Sequence, residues 1–275
     1  MRFNLRTIVC SIVFSLGALT TVTASASTFN IVVHFEGGLT TSQQAIFGDA
    51  ETFWENAITG YQSTAAHGPL MINAAGTFID GLGGILAYAG PRFGQIADGF
   101  TTAIQGTMTF DSGDLEALET SGTLLDVILH EMAHVIGFGT LWNTDSIGGA
   151  FAGTQSVYVD DTGQYTGANA LAAYQAEFDP TATFVPVELD GGRGTANGHW
   201  DETWAGGTQE LLTGYLDAPT FISDTTIASF ADIGYTVDLT ANDFVTPVPL
   251  PSSLFLGFSA LGLMGWVGRR RSQPA

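Results

Sequence analysis

One stretch restricts the possible folds more than any other. From Ser121 to Phe138 the chain is helical in pattern, and Leu124, Leu125, Val127, Ile128, Leu129, Met132, Val135, Ile136 and Phe138 put apolar groups on nearly every side of that helix. Such a helix belongs in the interior, covered all round. Yet it also carries His130, Glu131 and His134. Two imidazoles and a carboxylate are costly to bury unless something pairs with them. The rest of the chain has to fold around this segment and supply that partner.

The spacing says what the partner can be. His130-Glu131-Met132-Ala133-His134 is an HExxH pattern. Histidines at i and i+4 lie one turn apart on the same helical face, so both rings reach one metal ion. Glu131 stands beside them, placed to take a proton from water and pass it to a leaving amine. Two core histidines satisfied by ordinary hydrogen bonds are the plainer alternative. Gly137 follows three residues after His134, where a glycine lets the helix stop and the chain turn sharply back. A close-following third histidine is absent, because position 140 is Thr140. A catalytic zinc wants three protein ligands and an open fourth place. The candidates are His34 at the end of a strand, His67 in a Gly/Pro loop, and His199 in Gly198-His199-Trp200-Asp201-Glu202.

Thiol chemistry is excluded. Residues 1–26 read as a secretory signal peptide, with Arg2 and Arg6, an apolar run from Ile8 to Leu19, and Ala24-Ser25-Ala26 as the cleavage site. The single cysteine, Cys10, lies inside that run and is expected to leave with it. The exported chain would then hold itself together by its core, by bound metal, or by both.

Charge excludes a second class. There is no lysine, and Arg92 and Arg193 alone face 27 acids between the terminal arginines. Nucleic acid is not a partner for such a surface, which attracts cations, Ca²⁺ included. Asp111-Ser112-Gly113-Asp114-Leu115-Glu116 reads as a helix cap with acids in the first turn, or as a Ca²⁺ cluster. Asp160-Asp161-Thr162-Gly163 reads as a turn.

At the other end, Pro247, Pro249 and Pro251 make an extended spacer before an apolar run from Leu254 to Gly268 and the cluster Arg269-Arg270-Arg271. This segment, 247–275, resembles the PEP-CTERM sorting tail of Gram-negative bacteria, with Leu250 where the name-giving motif has Glu. The resemblance implies a short membrane segment and a membrane-bound sorting enzyme as partner. It further implies delivery to the cell envelope or an exopolysaccharide matrix.

A single domain is expected between, over 27–246. Phe29–Phe35 and Gly106–Phe110 read as strands, as does Thr77-Phe78-Ile79-Asp80. Thr40–Ile58, Asn169–Phe178 and Ser223–Ile233 read as helices. Some sixty irregular residues rich in Gly, Asp, Thr and Ala follow Gly139.

Four of these stretches together resemble the leishmanolysin-like metalloproteases, a metzincin branch with a long insertion before the third histidine. They are His130–Phe138, Gly198–Glu202, Glu210-Leu211-Leu212-Thr213-Gly214 and Thr226–Tyr235. The resemblance implies His130, His134 and His199 as zinc ligands and Glu131 as general base. It also implies an α+β metzincin-like fold, with an N-terminal twisted sheet, two long helices and an irregular C-terminal subdomain. Two departures stand out. Leu212 occupies the methionine position of the turn beneath the metal, and no cysteine is left for the family's disulfides or inhibitory thiol. Tyr215 is expected to pack or to approach the metal, and Asp201 to orient a ligand histidine. The expected function is a secreted zinc endopeptidase acting on proteins or peptides, its substrate lying along an open sheet edge. The alternative is a non-catalytic matrix or adhesion protein with a structural metal site.

Overall fold

The computed structural model describes residues 27–149, 152–192 and 194–244. The expected signal peptide (1–26) and the tail (247–275) lie outside the described residues.

Strand β1 (Ile31–Gly37) leads into helix α1 (Thr41–Ala57), the short β2 (Ile58–Tyr61) and β3 (Leu70–Thr77). A hairpin of β4 (Ala87–Ala97) and β5 (Phe100–Asp111) follows. The sheet order is β1-β3-β5-β4, with β1, β3 and β5 parallel and β4 antiparallel at the edge. α1 is the crossover that parallel pairing of β1 and β3 requires. Its start is a capping box, in which Thr40 accepts from the Gln43 N–H and the Gln43 side chain accepts from the Thr40 N–H. Phe47, Phe53 and Trp54 bury its inner face, and Trp54 Nε1 donates to the Leu129 carbonyl at 3.1 Å.

Two features differ from the pattern read in the sequence. The third strand runs over 70–77 and stops at Thr77, so Phe78, Ile79 and Asp80 are loop. That loop is held from outside the sheet. Asp111 accepts from the N–H groups of Asp80 (2.7 Å), Gly81 (2.6 Å) and Gly113 (2.7 Å), and Asp114 from Gly83 (2.7 Å). Asp111 is thereby occupied with backbone amides, whereas Asp114 uses only Oδ1, its Oδ2 being buried without a hydrogen-bond partner among the described residues. Edge strand β4 was not apparent in the sequence, because Gly90, Pro91 and Gly94 interrupt its alternation.

After β5 come α2 (Leu115–Ser121), ended by left-handed Gly122, and α3 (Leu124–Ile136). α3 packs on β4 and β5 on one side and on α1 on another. Short elements then follow: α4 (Thr144–Ile147), β6 (Gln164–Tyr165), α5 (Ala168–Glu177), β7 (Val185–Pro186), α6 (Asp224–Asp232) and β8 (Tyr235–Val237). Only α5 and α6 are longer than a turn or two. They run against each other and exchange caps. Glu177 of α5 accepts from the N–H groups of Asp224 and Thr225, while Asp232 of α6 accepts from those of Asn169 and Ala170. The fold is thus a mixed sheet with several helices, α3 lying between the sheet and the irregular C-terminal half. Among the described residues no helix is long and apolar enough to cross a membrane.

Candidate metal centre

α3 ends where the sequence needs it to end. Gly137 has φ 144°, and a Cβ there would sit 2.8 Å from Ile233 Cδ1. The Phe138 and Gly137 N–H groups both return to the Ala133 carbonyl, and Thr140 Oγ1 donates to the His134 carbonyl at 2.7 Å. Gly139 then meets the chain coming back some sixty residues later. A Cβ on Gly139 would lie 2.3 Å from the Gly198 carbonyl oxygen, so only a glycine allows this approach. The residue after Gly198 is His199.

Its neighbour fixes it there. Trp200 is fully buried, stacks on Trp142 and Trp204, and lies edge-on to Phe138. Its Nε1 donates to Thr226 at 2.8 Å and its N–H to the Leu212 carbonyl at 3.0 Å. With Trp200 locked into this aromatic cluster, the His199 ring is turned toward α3.

The result is a triangle of nitrogens. The Nε2 atoms of His130, His134 and His199 stand 3.0 Å from one another. Each ring is held from behind by a backbone carbonyl: Leu211 for His130 (2.7 Å), Phe138 for His134 (3.0 Å) and Thr195 for His199 (2.8 Å). A carbonyl only accepts, so each Nδ1 carries the proton and each Nε2 presents a lone pair. Three lone pairs aimed at one point repel unless a cation sits among them. Three nitrogens about 2.0–2.1 Å from a tetrahedral zinc stand about 3.3 Å apart, close to the spacing found. The donor set fits zinc.

Burial favours the same state. Desolvation pulls all three imidazoles below the ordinary histidine range, His199 to about 3, and the neighbouring rings add to it at His134 and His199. Glu131 is 6 % exposed, and burial pushes its carboxyl up to about 8. It lies with the histidines in a cleft of about 720 Å³ that the β4 segment Ala87-Tyr88-Ala89 also lines.

Under the triangle runs the turn 210–213. Leu212 is fully buried, and the turn is built on Glu210, 1 % exposed, which accepts from the Leu212 N–H (2.7 Å), the Ser223 N–H (3.0 Å) and the hydroxyls of Ser223 and Thr226. Nothing in the sequence marked Glu210 for this task.

His34 is exposed on β1, and His67 stacks on Tyr61 with its ring centroid 3.7 Å away. Among the described residues His130, His134 and His199 form the one group of three or more potential metal donors, so Asp111–Glu116 brings no such cluster together. Asp201 does not reach a histidine. Its carboxylate accepts from the Thr203 N–H and hydroxyl, and the orienting groups are the three backbone carbonyls. Tyr215 is not packed but 62 % exposed on the cleft wall.

A buried helix offering two imidazoles, a third from a distant loop, and a carboxyl beside them in an open cleft is the layout of a metallopeptidase. The chain belongs to the leishmanolysin peptidase family, which residues 71–248 match. That family is zinc-dependent, and membership implies a metallopeptidase acting on protein substrates. Residues 247–271 match the PEP-CTERM protein-sorting motif, which points to export, envelope association and a sorting enzyme. No curated protein matches the chain.

Proposed function

We propose that this chain is a secreted zinc endopeptidase of metzincin architecture. Residues 1–26 act as signal peptide, 27–246 as the protease domain and 247–275 as a sorting tail carrying a short membrane segment. The observation that carries the reading is the triangle of Nε2 atoms, each 3.0 Å from the other two and each with its Nδ1 tied to a carbonyl.

His130, His134 and His199 hold the zinc. When bound, the ion polarises a scissile carbonyl and makes a water in the cleft more acidic. Glu131 takes a proton from that water onto a carboxylate oxygen as the water oxygen adds to the carbonyl carbon. It then returns the proton to the amide nitrogen as the C–N bond breaks. Burial raises the proton affinity of Glu131, which suits a group that must accept a proton and give it back. The β4 edge, with no strand on its outer side among the described residues, receives the substrate backbone as an added antiparallel strand. Leu212 fills the methionine position with a side chain of similar volume, which supports a retained site.

The test is hydrolysis of unfolded casein by the secreted protein and by Glu131→Ala at equal zinc content. The parent turns over and the variant falls at least about a hundredfold. Equal turnover, or none by the fully zinc-loaded parent, contradicts the proposal.

A further inference from the structure

The loop between β3 and β4 presents apolar side chains that neither the core nor the metal chemistry uses. Phe78 is 73 % and Leu82 76 % exposed, and Ile85 and Tyr88 beyond them are each more than half exposed. Single exposed apolar residues are ordinary, but a run of four close together marks a contact surface. The whole chain has 27 acids, yet Asp80 is the one charged residue from Phe78 to Tyr88. The loop amides are also provided for. Asp80 and Gly81 donate to Asp111, Gly83 donates to Asp114, and Ile85 donates to the Asp80 carboxylate at 3.1 Å. Asp111 and Asp114 are buried beneath the loop's own backbone. A loop that stays in water has water for its N–H groups and needs no buried acceptors. A loop that enters an apolar medium does need them, because an unpaired amide there is costly.

We propose that this loop docks on the surface of a lipid bilayer, with Phe78, Leu82 and Ile85 entering between the headgroups and Tyr88 lying at their level. The chain itself brings the bilayer close. Residues 245–253 separate the last described residue, Phe244, from the apolar run that begins at Leu254, and they span at most about 35 Å. A domain of this length is roughly 40 Å across, so it stays beside the membrane. Arg92, the one Lys or Arg among the described residues, is exposed on β4 four residues past Tyr88, where it meets lipid phosphate. The acidic remainder of the surface gains nothing from anionic lipid, so the attraction is chiefly burial of the four apolar side chains. Residues Gly84 to Ala89 also line the metal cleft, so docking brings that cleft to the membrane surface. The contact rests on the membrane segment proposed for 247–275 and is independent of peptide hydrolysis.

Cys10 is the one cysteine of the chain, so a Cys10→Ser background allows a single fluorophore to be placed at will. The full chain carrying an environment-sensitive dye on Leu82→Cys, or on Asp49→Cys at an exposed site of α1, is reconstituted in phosphatidylcholine vesicles. At position 82 the emission is expected to shift to the blue and to be quenched by brominated lipid, whereas the dye at 49 reads water. Adding Phe78→Ser lowers the ratio of inserted to free loop about tenfold or more. High salt leaves that ratio nearly unchanged, because the contact is apolar. A dye at 82 that stays in water, equal quenching at 49 and 82, or no effect of Phe78→Ser overturns the docking. So does a blue shift with unfolded casein and none with vesicles, which would give the face to polypeptide instead. A chain that fails to float with the vesicles at all overturns the membrane segment and the docking together, while casein hydrolysis tests the peptidase reading separately.

Discussion

The Nδ1–H of His130 points at the carbonyl oxygen of Leu211, 2.7 Å away and 81 residues on in the chain. The turn that supplies this carbonyl is organised by a buried carboxylate, Glu210, whose partners include the N–H of Leu212 and both N–H and hydroxyl of Ser223. One acid therefore ties the start of α6 to the His130 ring of the triangle.

Glu210→Ala leaves two buried N–H groups and two hydroxyls without their acceptor. The expected loss is about 3 kcal/mol or more of unfolding free energy, together with a 10–100-fold weaker zinc affinity. Denaturant unfolding and competitive zinc titration read the two effects separately. Unchanged zinc affinity in a folded Glu210→Ala protein would mean that the Leu211 carbonyl is positioned by other means.

Metal removal should be felt by the whole domain. Without a cation, three lone pairs converge in a buried site, so a chelator is expected to lower Tm, and added zinc to restore it with a shift that grows with free zinc concentration. Glu131→Ala should keep this response, whereas His134→Ala should lose most of it. A melting temperature indifferent to chelator would speak against the three rings as ligands.

The exchanged caps of α5 and α6 make a prediction remote from the cleft. Asp232→Ala and Glu177→Ala should each cost about 1–2 kcal/mol, since each deprives an N-terminus of its acceptor. Because the caps serve the same helix pair, the double variant should depart from the sum of the singles by at least about 0.5 kcal/mol. Strict additivity in a double-mutant cycle would show that the two ends are held independently.

Acid stability should depend on Asp111. Burial raises its carboxyl, but backbone N–H donors from Gly113, Asp80, Gly81 and Ile79 outweigh that and bring it down to about 2, from an ordinary value of 3.8. A depressed folded value means the contribution is complete above the ordinary value and fades as pH falls from about 4 to about 2. Asp111→Asn should therefore be less stable at neutral pH and show a flatter decline across that window. An equal decline in both proteins would assign the acid sensitivity elsewhere.

Much of the site was legible in the residues, for a definite reason. The pair His130 and His134 is local, and helical geometry converts their spacing into proximity. His199 is not local. Its place depends on Gly139 lying against Gly198 and on Trp200 seated among Trp142, Trp204 and Phe138, contacts with no periodic signature, so only family likeness singled it out from His34 and His67. The groups that orient the three rings are backbone carbonyls, which every residue possesses and no sequence marks. Helix α1 was readable from its caps and apolar spacing, while β4, broken by glycine and proline, was not. The acids at 111 and 114 read as a helix cap or a Ca²⁺ cluster, and the loop amides that they accept from could not be foreseen from their spacing.

Three imidazoles from two distant parts of the chain are proposed to hold one zinc ion. X-ray absorption at the zinc edge, on the stoichiometrically loaded protein and on His199→Ala, tests it most directly. Three histidine nitrogens at about 2.0 Å in the parent and two in the variant are predicted. An identical first shell in both proteins, or one lacking histidine, would contradict it.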